Sequence, residues 1–270
     1  MSSNPGAERF RDGADKYAAY LQTREGRLRL DLAFANLLDF LPRPSQSLLV
    51  LDIGGGTGAI AIRLAQLGFC IRLLDTSLPM LDFAKHAALE ASVIGNISLV
   101  HGDAGELETL FPPESFDLIL CHNILEYVDD PSVVLRGMAR ALRSPAGMVS
   151  ILVRNQAGEV LKAAIRDRDF DAAEQNLSST WAHESLYGGR VRLFEAKNLR
   201  AMLTAASLTV TAERGVRVIS DYLPQRASED DEYKQIFQIE RKLGKRPDFA
   251  AVARYTQCIA NRVAVTKNRP

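Results

Sequence analysis

The sequence has few of the residues that build disulfide frameworks or zinc sites. Its 270 residues contain three cysteines, Cys70, Cys121 and Cys258, and no CxxC pair. An odd number of widely spaced cysteines argues against a disulfide framework and against structural zinc. We therefore expect buried, unreactive thiols and no bound metal.

Long apolar segments are also missing. No run approaches the roughly 20 residues of a membrane-spanning helix. The segment MSSNPGAERFRDG lacks the apolar stretch of a signal peptide. Hydrophobic residues make up 47% of the chain and charged residues 24%, as in ordinary globular proteins. We expect a cytoplasmic protein with no membrane partner.

The net charge is zero, but the charges are unevenly distributed. Residues 51–140 contain 5 Lys/Arg and 12 Asp/Glu, whereas residues 201–270 contain 12 Lys/Arg and 8 Asp/Glu. An acidic central part suits a cationic ligand better than a pyrophosphate. The basic surplus outside it indicates either a solvated surface or contact with an anionic partner.

Hydrophobic periodicity predicts alternating strands and helices. Two amphipathic helices, over 7–21 and 26–41, precede Pro42 and Pro44. Strands are predicted at 47–53, 69–75, 96–103, 115–123, 146–155, 208–215 and 254–265. Helices are predicted at 59–68, 76–92, 130–144 and 195–207, with Ser77 as an N-cap. This alternation predicts an α/β fold with a doubly wound, mostly parallel sheet.

The regular pattern is interrupted after the fifth predicted strand. We therefore divide one domain into an N-terminal helical lid (1–44), a cofactor-binding core (45–155), an insert (156–194) and a C-terminal part of the sheet (195–270). Inserts between late strands of an open sheet lie above its carboxyl edge, where ligands bind. The insert, in which 158–175 is predicted helical, is a candidate lid or substrate element.

The segment VLDIGGGTGA (50–59) requires a ligand that approaches the backbone closely. A phosphate-binding P-loop is excluded because no Lys-Ser/Thr pair follows the glycines. A dinucleotide fingerprint is met in part by Gly54, Gly56 and Ala59. A third possibility is S-adenosylmethionine.

Three acidic residues favour S-adenosylmethionine. Asp52, Asp75 and Asp103 lie at the ends of three successive predicted strands. Asp75 suits the ribose hydroxyls, Asp103 or its neighbours an adenine amine, and Asp52 the methionine ammonium. Asp103 could instead simply cap a helix. A cationic sulfonium tolerates an acidic pocket, whereas a pyrophosphate does not.

The segments VLDIGGGTG, LLDTS and FDLILCHNILEYVDDP together resemble the class I S-adenosylmethionine-dependent methyltransferases over roughly residues 45–155. The resemblance implies a Rossmann-like fold, methyl transfer from S-adenosylmethionine, and a cofactor-facing position for His122.

A narrower resemblance extends over roughly residues 15–265. GRLR (26–29), CHNILEYVDDP, GVRVISDYL (215–223) and ARYTQCIANR are similar to the bacterial tRNA carboxymethoxyuridine methyltransferases. The resemblance implies methylation of the carboxylate of a modified wobble uridine, with tRNA as partner. It also implies cofactor contacts, which fall on Arg29, Gly54, Gly55, Asp75, Ala104, Gly105 and His122.

A carboxylate acceptor is ionised at neutral pH, so no general base or metal is needed. The site instead needs cations that hold the carboxylate, and Arg154 and Arg217 are the candidates. Bases could stack on aromatic rings, for which the candidates are Trp181, His183, Tyr187 and Tyr222.

The insert departs from expectation for a tRNA enzyme because FDAAEQNLSSTWAHESLYGG contains no lysine cluster. Phosphate contacts would have to come from scattered residues. These are Arg154, Arg166, Arg168, Arg190, Arg192, Arg217, Arg241, Lys242, Lys245 and Arg246. Two alternatives stay open, a methyltransferase acting on a small molecule and a non-catalytic S-adenosylmethionine-binding protein.

Overall fold

A central β-sheet organises the chain. The computed structural model describes residues 13–41, 48–184, 186–224 and 230–262. The strands are β1 (Leu49–Ile53), β2 (Cys70–Asp75), β3 (Ile97–His101), β4 (Leu118–His122), β5 (Met148–Arg154), β6 (Trp181–His183), β7 (Arg190–Arg192), β8 (Leu208–Val216) and β9 (Tyr255–Arg262).

Helices cover both faces of the sheet and its carboxyl edge. They are α1 (Ala14–Gln22), α2 (Arg24–Leu38), α3 (Ala59–Gln66), α4 (Leu78–Glu90), α5 (Leu107–Leu110), α6 (Pro131–Ala141), α7 (Gln156–Leu161), α8 (Phe170–Ser178), α9 (Ala196–Ala205), α10 (Asp230–Gly244) and α11 (Pro247–Ala250). Within the described ranges, no helix is long and apolar enough to cross a membrane.

The sheet has the order β3-β2-β1-β4-β5-β9-β8. The pairs from β3 to β5 are parallel, whereas β9 is antiparallel to both β5 and β8. The strand order reverses between β1 and β4, which opens a crevice at the carboxyl edge of the sheet. This topology confirms the predicted doubly wound, mostly parallel sheet.

The β1 strand shows why its sequence is apolar without alternation. Leu51 and Ile53 pack in the core on one face of the sheet, and Val50 packs in the core on the other. A central parallel strand is buried on both faces, so successive residues all need apolar side chains. Its one acid, Asp52, is also buried.

The N-terminal helices and α4 follow their sequence signals closely. Thr23 caps α2 by accepting a hydrogen bond from the Gly26 N–H at 3.1 Å. Ser77 caps α4, as predicted. Helix α2 ends at Leu38, before Pro42 and Pro44, which lie outside the described residues, as do residues 7–12 of the first predicted helix and 263–265 of the last predicted strand.

The insert differs from its prediction as one long helix over 158–175. Helix α7 continues into a π-helical turn at Lys162–Asp167, and Arg168 then adopts a left-handed conformation with φ 55°. Asp169 caps a separate helix, α8, by accepting from the Ala172 N–H at 2.9 Å. The polar segment that follows forms the antiparallel hairpin β6–β7.

Helix α10 was not predicted. Its sequence DDEYKQIFQIERKLG is rich in charge, yet Tyr233, Ile236 and Phe237 join a small core with α2. Ile236 and Phe237 follow Tyr233 by three and four residues, which places all three on one face of a helix. The Tyr233 hydroxyl also donates to Asp31 of α2 at 2.6 Å, so α10 fastens the N-terminal helices to the domain.

Candidate functional site

A cavity of about 860 Å³ lies at the carboxyl edge of the sheet. Its wall combines residues from the glycine turn after β1, the loops after β2 to β5, the N-terminal helices, the insert and the start of β9. Most predicted site residues border it: Arg29, Gly54, Gly56, Asp75, Asp103, Ala104, His122, Arg154 and Arg217. Asp52 and Gly55 do not.

The glycine turn after β1 needs residues without side chains. Gly54 has φ 61°, and a Cβ atom there would lie 2.0 Å from Ile124 Cδ1. Gly56 has φ 55°, and a Cβ there would point beside Tyr17 at 3.5 Å, along the cavity wall. Both conformations favour glycine. The turn therefore exposes bare backbone to the cavity.

Asp75 is tied to this turn. Its Oδ2 accepts from the Gly56 N–H at 2.9 Å and its Oδ1 from the Ser77 N–H at 2.8 Å. Each carboxylate oxygen has a second lone pair. Burial raises the pKa of Asp75 despite these backbone hydrogen bonds. The side chain presents a fixed acceptor at the cavity wall.

Asp52 lies behind the turn instead of on the wall. A Cβ atom on Gly55 would lie 2.9 Å from the Asp52 Oδ2. The two residues are therefore in contact with each other, and neither borders the cavity. Burial, with a contribution from the Asp75 charge, raises the pKa of Asp52 to about 7. Any influence of Asp52 on a ligand is therefore exerted through the turn.

Asp103 serves as both cap and wall residue. It borders the cavity, and its Oδ1 accepts from the Gly105 N–H at 2.7 Å. With Glu106 it forms a capping box on the short 3-10 helix Ala104–Glu106. The capping role that its sequence position allowed is present, and Ala104 and Gly105 are placed at the wall by it.

His122 ends β4 at the wall. Its Nε2 lies 2.8 Å from the Ser150 hydroxyl. Burial, together with the nearby Arg29 charge, lowers the pKa of His122 to about 3. The imidazole is thus neutral at physiological pH and too weakly basic to abstract a proton.

Arg29 joins the N-terminal helices to the cavity. Its guanidinium donates to Asn123 Oδ1 at 2.8 Å and to the Tyr17 hydroxyl at 3.0 Å. Arg24 and Arg27 point elsewhere: Arg24 pairs with Glu232 of α10, and the Arg27 guanidinium lies 4.5 Å from a tyrosine ring centroid. Of the three basic residues near GRLR, the structure brings only Arg29 to the wall.

Arg154 and Arg217 meet at the same part of the cavity, although 63 positions separate them in the sequence. Arg154 lies 3.9 Å from Glu159 and 3.7 Å from Glu184. Arg217 is 4% exposed and forms an ion pair with Asp221. Its Nε–H is buried and has no acceptor among the described residues.

Backbone contacts fix Arg217 in an unusual conformation. It has φ 62°, which non-glycine residues rarely adopt. The carboxylate of Glu240, on α10, accepts from the N–H groups of the next residues, Val218 at 2.6 Å and Ile219 at 3.0 Å. The GVRVISDYL segment is thus held against the cavity by the helix that the periodicity did not predict.

Two further residues of this wall were missed. Arg254 borders the cavity and forms ion pairs with Glu159 and, at 3.5 Å, with Asp221. Burial alone would raise the pKa of the neighbouring Tyr255 phenol, but surrounding guanidinium groups lower it. These groups belong to Arg154, Arg29, Arg254 and Arg217. Arg254 precedes β9 and Tyr255 is its first residue, and the antiparallel direction of β9 brings both to the carboxyl edge.

Two of the four aromatic candidates border the cavity. His183 and Tyr187 of the insert border the cavity, whereas Trp181 and Tyr222 do not. The Tyr187 ring stacks on Tyr17 with centroids 6.3 Å apart, which bridges the insert and the N-terminal helices. Of the other basic candidates, Arg166 borders the cavity, and so does Lys162, which was not predicted. In the described ranges, no group of three or more His, Cys, Asp or Glu residues could hold a metal ion.

The residues present fit S-adenosylmethionine. The turn at Gly54 and Gly56 presents backbone without side chains to the cavity, and Asp75 offers acceptor oxygens beside it. The wall nearby also contains Asp103, Asp129 and Asp130, which suit a cationic ligand. The fold and this wall define a class I S-adenosylmethionine-dependent methyltransferase.

Comparison with known proteins agrees. The model of the family described as "Methyltransferase domain" matches residues 44–241, and the chain belongs to this family. The chain is 29% identical over 255 residues to the tRNA 5-carboxymethoxyuridine methyltransferase of Escherichia coli (strain K12), covering 94% of this chain and 95% of the relative.

Other similarities cover a shorter segment of the sequence or concern the fold alone. The ubiquinone/menaquinone biosynthesis C-methyltransferase UbiE of Vibrio vulnificus (strain YJ016) is 34% identical over 114 residues, which are 41% of this chain and 42% of the relative. In fold, the chain is similar to the crystal structure of a SAM-dependent methyltransferase, possible histamine N-methyltransferase, from Thermotoga maritima. That likeness has a TM-score of 0.62 at 14% identity, and it covers 96% of this chain and 100% of the other.

The protein is therefore an enzyme that transfers methyl groups and uses S-adenosylmethionine, as the sequence predicted. The roles predicted for its individual residues stay predictions, now with a defined geometry.

Proposed function

We propose that the protein methylates the carboxylate of a carboxymethoxy-modified uridine at the wobble position of tRNA. The observation that carries this proposal is the group of four guanidinium groups, of Arg29, Arg154, Arg217 and Arg254, on the wall that also contains Asp75. Three of these residues are buried, and the Arg154 side chain is 13% exposed. A relative with nearly full-length similarity has the name of this activity.

The two parts of the cavity wall suit different ligands. The glycine turn and Asp75 suit the cofactor, whereas the guanidinium groups, which have Glu159, Glu184 and Asp221 among them, suit an anion. Arg154 keeps only long contacts with its acidic partners, 3.7 Å and 3.9 Å, so its donors have capacity for another acceptor. Arginine holds a carboxylate through two parallel hydrogen bonds, which also fixes its orientation.

The chemistry of the wall agrees with an acceptor that is already ionised. Burial keeps His122 neutral, with a pKa of about 3, and Asp52 does not border the cavity. Both carboxylate oxygens of Glu184 accept backbone hydrogen bonds, from Leu186 at 2.9 Å and Tyr187 at 2.7 Å. A carboxylate needs no base, whereas a hydroxyl or amine acceptor must lose a proton.

The residues then have separate tasks. Gly54, Gly56 and Asp75 would hold the cofactor, and Arg154 and Arg217 would hold the acceptor carboxylate in line with it. When bound, S-adenosylmethionine supplies an electrophilic methyl group, so that a C–O bond forms as the C–S bond breaks and no proton is released. The protein contributes position and charge complementarity.

A second candidate is methylation of a small molecule, such as a quinone precursor or a free carboxylic acid. Residues 169–189 contain four Asp/Glu and no Lys/Arg, which is unfavourable for RNA contact by that part of the insert. The partial similarity to a quinone-pathway methyltransferase also favours this candidate. The same guanidinium groups would serve it.

Methyl transfer from labelled cofactor distinguishes these candidates. The acceptors are tRNA with the carboxymethoxy group, the same tRNA without it, and a small-molecule extract. We expect label only on the carboxymethoxy tRNA. Equal label on both tRNAs would exclude the carboxylate as acceptor, and label on the extract alone would establish the small-molecule activity instead.

A further inference from the structure

The hairpin β6–β7 places one aromatic ring against two guanidinium groups. The Cζ atoms of Arg192 and Arg190 lie 4.6 Å and 5.0 Å from the centroid of the Trp181 ring. Trp181 pairs with Arg192 and His183 with Arg190. Because side chains alternate along strands, these four residues share one face of the hairpin.

The opposite face, backbone hydrogen bonds and the Arg192 side chain fix the hairpin to the domain. Val191 is fully buried. The Arg192 backbone N–H donates to Glu126 O at 3.1 Å, and its guanidinium donates to Asp129 O at 3.2 Å. Gln156 of α7 donates to Ser179 O at 2.8 Å, just before β6. The Trp181 face is therefore mounted on a firmly attached element.

The same face continues from the cavity to the surface. His183 borders the cavity, whereas Trp181 lies two residues earlier on the strand and outside the cavity. Arg190 is exposed. A chain whose one unit enters the cavity would therefore meet an aromatic ring and two cations directly outside it.

We propose that this face binds single-stranded RNA next to the target nucleotide, an inference that rests on the proposed function. Single-stranded nucleic acids bind where aromatic rings stack on bases and cations follow the phosphates. Of the insert's five Lys/Arg, two are in β7 and three are at 162–168, where Lys162 and Arg166 border the cavity. The two groups would contact the strand on the two sides of the extruded uridine.

The chain has an internal probe for this contact, because Trp181 is its single tryptophan. The titration uses the full chain and a synthetic anticodon stem-loop RNA with an unmodified wobble uridine. We expect saturable quenching of Trp181 fluorescence that weakens as salt rises. An unmodified uridine keeps this binding test independent of the carboxylate.

Variants separate the surface from the catalytic chemistry. Arg190→Ala keeps the fluorophore, and we expect it to raise the RNA dissociation constant about tenfold and to lower the salt dependence. Trp181→Ala, measured by filter binding, should raise it by a similar factor, about tenfold. Both should raise KM for tRNA without changing kcat or cofactor affinity. Arg200→Ala is the control, since Arg200 is an exposed arginine on α9 paired with Glu213 at 2.8 Å.

The outcomes distinguish this inference from the proposed function. If carboxymethoxy tRNA is methylated and Arg190→Ala binds RNA as the wild type does, the hairpin surface is wrong while the function stands. If RNA leaves Trp181 fluorescence unchanged, the surface is likewise wrong. If the variants lose RNA affinity but no tRNA is methylated, the surface stands and the proposed acceptor is wrong.

Discussion

The two ends of the cavity are built in different ways. The end that we assign to the cofactor contains Gly54, Gly56, Asp75 and Asp103, which lie within 50 consecutive residues at successive strand ends. The end that we assign to the acceptor contains Arg154, Arg217 and Arg254, which come from three distant segments, and Arg29 reaches the cavity from the N-terminal helices. The first end depends on backbone shape, and the second depends on side chains that meet only in the folded chain.

This difference explains why the glycine turn and Asp75 are easy to recognise in a sequence and can be shared by enzymes with different acceptors. A bare glycine turn and one ribose acceptor serve any acceptor chemistry. The match to UbiE covers only 41% of this chain, whereas the match to the tRNA enzyme covers 94%. We therefore expect the acceptor specificity of this chain to depend on the segments around the shared core.

The largest expected effect is at the acceptor end. Arg217→Ala should lower kcat/KM about 100-fold to 1,000-fold, because it removes a charged donor to the acceptor, while cofactor affinity stays near the wild-type value. Steady-state kinetics and calorimetric titration of the cofactor measure the two quantities. Arg217→Lys should recover part of the activity, since it keeps the charge but not the two-donor geometry.

Arg214→Ala is the matched control, because Arg214 lies on β8 three residues earlier and does not border the cavity. Equal losses in both variants would indicate a folding defect. Loss of cofactor affinity in Arg217→Ala would show that Arg217 contributes to cofactor binding, and that the two ends of the cavity are not separate.

The next effect is at the cofactor end. Asp75→Ala should weaken S-adenosylmethionine binding about a hundredfold, or roughly 3 kcal/mol, through loss of two hydrogen bonds to a charged acceptor. Calorimetric titration measures it. Asp82→Ala, which changes an exposed acid on α4, should leave the affinity unchanged. Tight binding of S-adenosylmethionine by Asp75→Ala would show that another residue binds the ribose hydroxyls.

The Arg29→Ala variant tests whether the N-terminal helices contact the cofactor. Arg29→Ala should raise the cofactor dissociation constant about tenfold, the value of one charge-assisted hydrogen bond. Arg27→Ala should have no effect, because that side chain is 59% exposed and lies over Tyr233. Identical affinities of both variants would show that the helices do not contact the cofactor.

The smallest effect concerns Asp52, the acid behind the turn. Its pKa is raised from the model-peptide value of about 3.9 to about 7. The folded protein thus holds a proton that the unfolded chain has released, so this contribution to stability is lost as pH rises through about 7. Asp52→Asn should remove it.

Urea unfolding of both proteins at pH 6 and pH 8 measures the difference. The wild type should lose about 1 kcal/mol more stability than Asp52→Asn over this range. His122 contributes with the opposite sign, because its folded pKa is lowered to about 3. It is present in both proteins and cancels. Identical pH dependence would place Asp52 in a more polar environment than its burial indicates.

The sequence predicted the sheet because β1 and its neighbours have apolar runs of strand length, and these are buried on both faces. It failed at α10, where many charges conceal the apolar face of Tyr233, Ile236 and Phe237. It also failed at Lys162–Asp167, where a π-helical turn and the left-handed Arg168 divide one helical pattern into two elements.

In the candidate site, prediction succeeded where strand order decides position. The ends of β1 to β5 meet at one edge, so residues that follow them are brought together. Arg254 and Tyr255 lie at the beginning of a strand, and only the antiparallel direction of β9 places them at that edge. Pairing of distant strands is a tertiary property, and no local pattern in ARYTQCIANR expresses it.

The backbone conformation of Arg217 lowers the stability of the fold at a residue that we propose to act in the reaction. A left-handed backbone at a side-chain-bearing residue costs about 1 kcal/mol, which glycine would recover. Burial of its charge is a further cost that an apolar side chain would avoid. Removal of this arginine alone would leave Asp221 buried with only a 3.5 Å contact to Arg254, which is itself destabilising. Selection for heat resistance alone would therefore replace Arg217 and Asp221 together with apolar residues, whereas selection for the proposed reaction would keep the arginine.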